Sequence, residues 1–425
     1  MNLKALEQQR AIYVGGFAGA RPLVPVRFDL LERAARDTMS AEAYAYIAGG
    51  AGLETTMEHN RRGFERVRIL PRMLRDVSER DTSIKLLGQK LTAPVLTAPI
   101  GVLEMVHPEA DLAVARAAAA LGVPMIFSNQ ASFPMEECAA EMGNSPRWFQ
   151  LYWSKSDELT ASLLRRAEAS GCSAVVLTLD TTMLGWRPRD LDLAYLPFLR
   201  GLGIAQYTAD PVFQKMASEP DFLRSIQDEG AFSQTKLLNF FKLVKKYPGG
   251  SFRKKMKSKA PVAGVRKFIE IYSRPSITWG DLAFLKKHTR LPILLKGILH
   301  PEDARLAVEH GMDGIIASNH GGRQVAGSIS AIEALPAIVE AVGGKLPVLV
   351  DSGIREGADI FRALALGAKA VCVGRPYVYG LALAGQAGVE AVLKNLLADF
   401  ELTMGLAGCR HIGEIDRSSV HVEKG

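Results

Sequence analysis

Ile293 to Asn319 reads ILLKGILHPEDARLAVEHGMDGIIASN. An apolar run ends in Lys296-Gly297, a stretch with helical spacing follows over Pro301–His310, and a second apolar run from Gly314 ends in Ser318-Asn319. Short, continuous apolar runs fit strands buried on both faces, and an intervening helix fits a parallel crossover. The same unit recurs on either side. Pro94–Pro99, Met125–Asn129, Trp148–Trp153 and Ala174–Asp180 come before it, and Val348–Ser352 and Ala370–Gly374 come after. Helical spacing separates most of them, over Pro108–Leu121, Asp157–Ser170, Ser330–Val342 and Gly357–Leu366. Eight strands alternating with helices predict an α/β fold of the TIM (β/α)8 barrel type rather than a doubly wound sheet.

Two regions fall outside the repeat. Residues 1–60 are expected to form an N-terminal helical extension to a barrel over 61–425, and an insertion spans about 181–276 between strands four and five. A loop of that length is usually functional or mobile. The chain has 425 residues, 48% of them apolar, enough for a large core. Its formal charge of +7 is local, because nine basic and no acidic residues lie between Lys236 and Lys259. That distribution argues against a nucleic-acid partner. The four cysteines lack the paired spacing of a zinc site, so they are expected to be reduced packing residues and no metal is expected. With no signal-peptide pattern and no long apolar span, a cytoplasmic location is expected.

Barrel active sites collect at the C-terminal ends of the strands, and polar residues cluster there in this sequence. They are Gly101, Ser128, Gln130, Gln150, Tyr152, Thr178, Asp180, Lys296, Ser318, His320, Asp351, Ser352, Gly374 and Arg375. After strand six, Ser318-Asn319-His320-Gly321-Gly322-Arg323-Gln324 sets a histidine three residues before an arginine on a glycine-bearing turn. Neutral imidazole can take a proton, an arginine fork binds a carboxylate, and Asp180 from strand four can orient the imidazole. Asp351-Ser352-Gly353-Ile354-Arg355 and Gly374-Arg375-Pro376 follow strands seven and eight, where many barrels hold a phosphate. Gly15-Gly16-Phe17-Ala18-Gly19 is no dinucleotide fingerprint, since no strand precedes it. His107 and His300 each sit beside a proline before a helix, which predicts capping. Arg189 either joins Arg187 or pairs with Asp190.

Together with Tyr46-Ile47-Ala48-Gly49-Gly50-Ala51-Gly52, Phe149-Gln150-Leu151-Tyr152, Thr178-Leu179-Asp180-Thr181 and Leu294-Leu295-Lys296-Gly297, these runs resemble the FMN-dependent α-hydroxy-acid dehydrogenases and oxidases. The resemblance covers about Phe28 to Arg417. It implies that FMN is the cofactor and that His320 is the base, held by Asp180, with Arg187 and Arg323 clamping the substrate carboxylate and Tyr46 and Tyr152 completing the pocket. It further implies that Pro99, Ile100 and Gly101 line the flavin, and that Lys296 lies against it. Ser128, Gln150, Thr178 and Ser318 would bond its polar edge, and Asp351, Ser352, Gly353, Ile354, Arg355, Gly374 and Arg375 would bind its phosphate. The proton that His320 removes, from carbon or from oxygen, is left open.

Within that family, Gly185-Trp186-Arg187-Pro188-Arg189-Asp190-Leu191, Pro197-Phe198-Leu199-Arg200-Gly201 and Asp210-Pro211-Val212-Phe213-Gln214-Lys215 resemble the lactate 2-monooxygenase branch, which turns lactate and O2 into acetate, CO2 and water. Gly101, where many oxidases carry alanine, points the same way by leaving room for oxygen, although mandelate dehydrogenases share it. Gln130 departs from both the aromatic residue of short-chain oxidases and the aliphatic one of monooxygenases. The alternatives are a peroxide-producing oxidase, a membrane-associated quinone-reducing dehydrogenase, and an inactive flavin- or nucleic-acid-binding barrel. The membrane alternative draws on residues 236–259, whose mixture of lysines with Leu237, Leu238, Phe240 and Phe241 suits an interfacial helix. A homo-oligomer, tetrameric or larger, is implied by the resemblance.

Overall fold

The computed structural model describes residues 5–226, 234–249 and 251–423; Gly250, inside the basic stretch, and residues 1–4 lie outside them. Eight strands close a parallel barrel in sequence order: β1 Val95–Thr97, β2 Met125–Phe127, β3 Arg147–Leu151, β4 Val175–Thr178, β5 Ile293–Ile298, β6 Gly314–Ala317, β7 Val348–Val350 and β8 Ala370–Val373. Each lies within or beside an apolar run anticipated from the sequence. The spacing-predicted helices also form, as Ala110–Leu121, Asp157–Ala169, Pro301–Glu309, Ala331–Val342 and Gly357–Ala365.

Side chains alternate across a strand, so residues two apart share a face. One cluster contains Leu96, Ile126, Trp148, Val176, Leu294, Ile316, Leu349 and Cys372, one or more from each strand, and fills the barrel interior. A short hairpin, Ile84–Leu86 with Gln89–Leu91, adds Leu86 and Leu91 to that cluster at its end. The other strand faces join the helices in a second, larger core. Two residues beyond the interior apolar layer come Ser128, Gln150, Thr178, Lys296, Ser318, Asp351 and Gly374. The polar layer is therefore the same strand face carried one repeat further, with β4 and β5 in register at Thr178 and Lys296.

The N-terminal helices reach this layer. Ser40 caps helix Ala41–Ala48 by accepting from the Ala43 N–H, and the helix buries Tyr46 and Ile47. Helix Thr55–Glu65 runs across residue 60 and buries Asn60, whose amide forms two reciprocal hydrogen bonds with Asn319 at 2.9 and 2.7 Å. The insertion is not an open loop. It folds into short helices, among them Pro211–Ala217, Gln234–Lys246, Phe252–Lys257 and Ala260–Ile271. Asp210 caps the first by accepting from Val212 N and Phe213 N. On helix Gln234–Lys246, Leu243 and Val244 are buried, while Leu237, Leu238 and Phe241 are exposed. No described helix is long and apolar enough to cross a membrane.

Candidate active site

A cavity opens at the C-terminal ends of the strands. Tyr46, Pro99, Ile100, Gly101, Tyr152, Arg187, Lys296, His320, Arg323, Asp351, Ser352, Gly353, Ile354, Arg355, Gly374 and Arg375 line it, which brings most of the anticipated residues to one place. Ser128, Gln150, Thr178, Asp180 and Ser318 do not line it. They form a buried layer against which the lining groups are fixed.

One end of the cavity is a charge-balanced chain. His320 Nδ1 donates to Asp180 Oδ1 at 2.8 Å, which leaves Nε2 as the acceptor nitrogen. Thr181 Oγ1 donates to the same carboxylate oxygen at 3.0 Å and stands 3.1 Å from the imidazole. Burial works against charge on Asp180, yet His320 and Lys296 outweigh it and draw the carboxyl down to about 2. Burial also lowers the imidazole, against the pull of Asp180, so His320 is neutral near pH 7. Lys296 Nζ donates to Ser318 Oγ at 2.8 Å and lies 3.2 Å from Asp351 and 3.9 Å from Asp180. Burial opposes its charge, but the two carboxylates hold the ammonium above the ordinary lysine range. His320 itself has φ +57° and Ser352 has φ +74°. Strained backbone of this kind costs about 1–3 kcal/mol per residue and collects at functional sites. Ser352 Oγ accepts from Gly321 N at 2.9 Å, which fixes the turn carrying the histidine.

The other end has cations without carboxylate partners. Arg375 donates only to the carbonyls of Ile47, Gly49 and Gly321, each at 3.0 Å, and to the Met57 sulfur. Arg323 donates to the carbonyls of Tyr46 and Gly49, with its guanidinium 5.0 Å from the Tyr46 ring. The Arg355 side chain donates to the Ile354 carbonyl and lies over Phe28. Burial weakens all three cations, and repulsion adds to it for two: Arg323 is pushed down to about 9 by burial and Arg187, and Arg355 to about 10 by burial and Arg375, while burial outweighs the opposing pull on Arg375. Guanidinium groups stay protonated in proteins, so these shifts measure electrostatic strain that an anion would relieve.

Several residues at the site carry no weight in a reading of the sequence. Gln324 bridges the insertion to the histidine turn, its Nε2 donating to the carbonyls of Asp180 and Met183 and its Oε1 accepting from Arg187 at 2.7 Å. Thr181 and Asn60 are likewise within motifs or helices whose pattern does not mark them. Arg189 pairs with Glu54 at 2.5 Å rather than with Asp190, because helix Pro188–Asp192 turns it toward the N-terminal segment. His300 caps helix Pro301–Glu309, accepting from Glu302 N, and His107 accepts from Glu109 N. All four cysteines are buried and free.

The sequence model of the FMN-dependent dehydrogenases matches residues 35–422. This chain belongs to that family. It is 42% identical to an L-lactate oxidase of Lysinibacillus sphaericus, over 91% of this chain and 90% of the other, and 39% identical to a 4-hydroxymandelate oxidase of Amycolatopsis orientalis, over 91% and 96%. A crystal structure of mandelate oxidase with (S)-4-hydroxymandelic acid superimposes with a TM-score of 0.76 at 37% identity, covering 94% of this chain and 99% of that one. FMN is the family's cofactor, and the site suits it. Gln150 Nε2 and Thr178 Oγ1 are buried without a partner in the layer beneath the lining residues, donors that a flavin's polar edge can complete, while the unneutralised arginines suit a phosphate.

Proposed function

We propose that this protein oxidises a small L-2-hydroxy acid to the 2-keto acid, with O2 as the electron acceptor. The observation that carries the reading is a neutral imidazole, held on Nδ1 by an ionised aspartate, in one cavity with two guanidinium groups, the buried Arg187 and the partly buried Arg323. In this reading Arg187 and Arg323 bind the substrate carboxylate, Tyr46 and Tyr152 wall the reacting centre, and His320 Nε2 takes a proton from the substrate. Asp180 fixes the tautomer and stabilises the imidazolium that forms. Pro99, Ile100 and Gly101 line the flavin, Ser128, Gln150, Thr178 and Ser318 meet its polar edge, and Lys296 supplies positive charge beside it. Asp351 to Arg355, with Gly374 and Arg375, hold the phosphate. When bound, FMN supplies the two-electron oxidation.

The finer reading is that of a 2-monooxygenase, in which the keto acid is retained and decarboxylated. Leu184, Phe198 and Tyr272, from the insertion, line the cavity, and their apolar and aromatic cover supports retention of the keto acid. Gly101 no longer argues for it by leaving room, since a Cβ there would stand 2.8 Å from the Gln130 carbonyl oxygen. The basic face of the insertion, with Leu237, Leu238 and Phe241 exposed, supports a second reading as a dehydrogenase at an anionic membrane surface. One assay separates them: incubate the FMN-loaded protein with L-lactate, then larger L-2-hydroxy acids, in air, and quantify the shortened acid, keto acid and peroxide. Shortened acid without peroxide supports the monooxygenase, keto acid with peroxide the simple oxidase, and flavin bleaching with little oxygen use the dehydrogenase. Absence of bleaching by every 2-hydroxy acid overturns the proposal.

A further inference from the structure

Gln130 is 8% exposed and lines the cavity, yet its side-chain amide has no hydrogen-bond partner among the described residues. Neither amide atom is among the fully buried ones without a partner, so the group faces the cavity, where a ligand can complete it. The backbone of this residue is fully committed. Its N–H donates to Ser128 Oγ at 3.1 Å and its carbonyl accepts from Val102 N at 2.9 Å. Two glycines clasp that carbonyl, because a Cβ at Gly101 or Gly203 would stand 2.8 or 2.9 Å from it. Ala205 N donates to the next carbonyl, that of Ala131, at 3.2 Å. The side chain therefore leaves a peptide that cannot shift, and it does so beside the insertion segment that carries Phe198.

Phe198 is buried, stacks on Tyr272 with centroids 6.4 Å apart, and lines the cavity together with Tyr272, Leu184 and Thr181. None of these four carries a charge. The cavity's titratable and charged groups, His320, Lys296, Asp351 and the arginines, are those assigned above to the reacting centre and the phosphate. The wall left for the substrate's side chain is thus uncharged and mostly apolar or aromatic, with one unpartnered amide carried on a fixed backbone.

We infer that the substrate is a 2-hydroxy acid whose side chain is longer than a methyl group and bears a neutral hydrogen-bonding group, which Gln130 recognises. The inference rests on the proposed 2-hydroxy-acid oxidation and specifies its substrate class. A site built to pair with a polar group discriminates strongly against the analogue lacking it, because its own buried amide is then left unpaired.

The test compares L-2,4-dihydroxybutanoate with its isostere L-2-hydroxypentanoate, in which a methyl replaces the terminal hydroxyl, for the FMN-loaded protein and for Gln130→Leu. The expected result is a kcat/KM at least about tenfold higher for the hydroxyl compound in the parent, with the preference lost or reversed in Gln130→Leu. Equal turnover of the two by the parent, or a preference that survives the substitution, overturns the inference while leaving the oxidation reading in place. No flavin bleaching by either acid or by L-lactate overturns both. Should Gln130→Leu fail to retain flavin, the parent alone decides. Titration with the two matching 2-keto acids, followed by flavin absorbance, should show the same tenfold preference in Kd, and equal affinities would overturn the inference.

Discussion

The two ends of the cavity solve opposite electrostatic problems. Around His320 every buried charge meets its opposite: Asp180 faces the imidazole and Lys296, and Lys296 also faces Asp351. Around Arg323, Arg355 and Arg375 the cations meet carbonyls, a ring or one another. The first group is assembled by the protein alone. The second is left incomplete, and its strain becomes binding energy once a phosphate and a substrate carboxylate supply the missing charge. A preassembled base and an anion-seeking wall in one cavity are what an oxidation of a bound hydroxy acid calls for.

The most severe way to break this contrast is at the balanced end. His320→Ala should lower the rate of flavin reduction by substrate by about 10²- to 10⁴-fold while FMN stays bound, because the cofactor's proposed partners lie elsewhere. Stopped-flow reduction with a count of flavin per chain checks it, and ordinary reduction would remove His320 from the chemistry. At the incomplete end, Arg355→Met should weaken FMN by about tenfold to a hundredfold, from the loss of a charge-assisted bond of about 1.5–3 kcal/mol. The flavin-free protein should melt no lower than the parent, since repulsion with Arg375 and Arg61 is relieved. Equal destabilisation of both forms would show Arg355 to be structural.

A pH profile sharpens the same distinction. The base must be neutral, and burial lowers His320 below the ordinary histidine value of about 6.5. kcat/KM should therefore be flat near neutrality and fall about tenfold per pH unit once the pH drops below the His320 pKa. Asp180→Asn removes a group that raises the imidazole, so the acid limb should move to lower pH as the plateau drops. A limb above pH 7 would contradict this. The smallest effect belongs to the insertion surface. Leu238→Ser should change stability by no more than about 0.5 kcal/mol, since the residue is 61% exposed, and thermal unfolding measures it.

The barrel is legible because strands buried on both faces read as unbroken apolar runs, and because most of them end in the polar residue that continues the inward face. Trp148 and Gln150 in β3, with Tyr152 just past its end, show the principle: one face, changing from core through a buried polar layer to the cavity. The insertion was harder to read. Its helices are short, one started by Asp210-Pro211 with the aspartate as cap, and their apolar residues join the helix-side core without the strand–helix period, so length alone marks the segment as functional or mobile. Arg189 was misread for a similar reason: its partner Glu54 lies 135 positions away, and no local pattern joins them. Gln324 was quoted as part of a motif, but only the geometry reveals that it ties Arg187 to the histidine turn. Gln130 stood out in the sequence only as a departure from relatives, and its unpartnered amide became visible with the cavity around it.

The reciprocal amide pair between Asn60 and Asn319 joins residues 259 positions apart, and Arg375 reaches back 328 positions to the Ile47 carbonyl. During synthesis the segment bearing Tyr46 leaves the ribosome first and waits for partners made in the final third of the chain. The cavity thus stays open until segments 259 and 328 positions apart have met, so capture of the flavin is expected to follow the long-range folding steps.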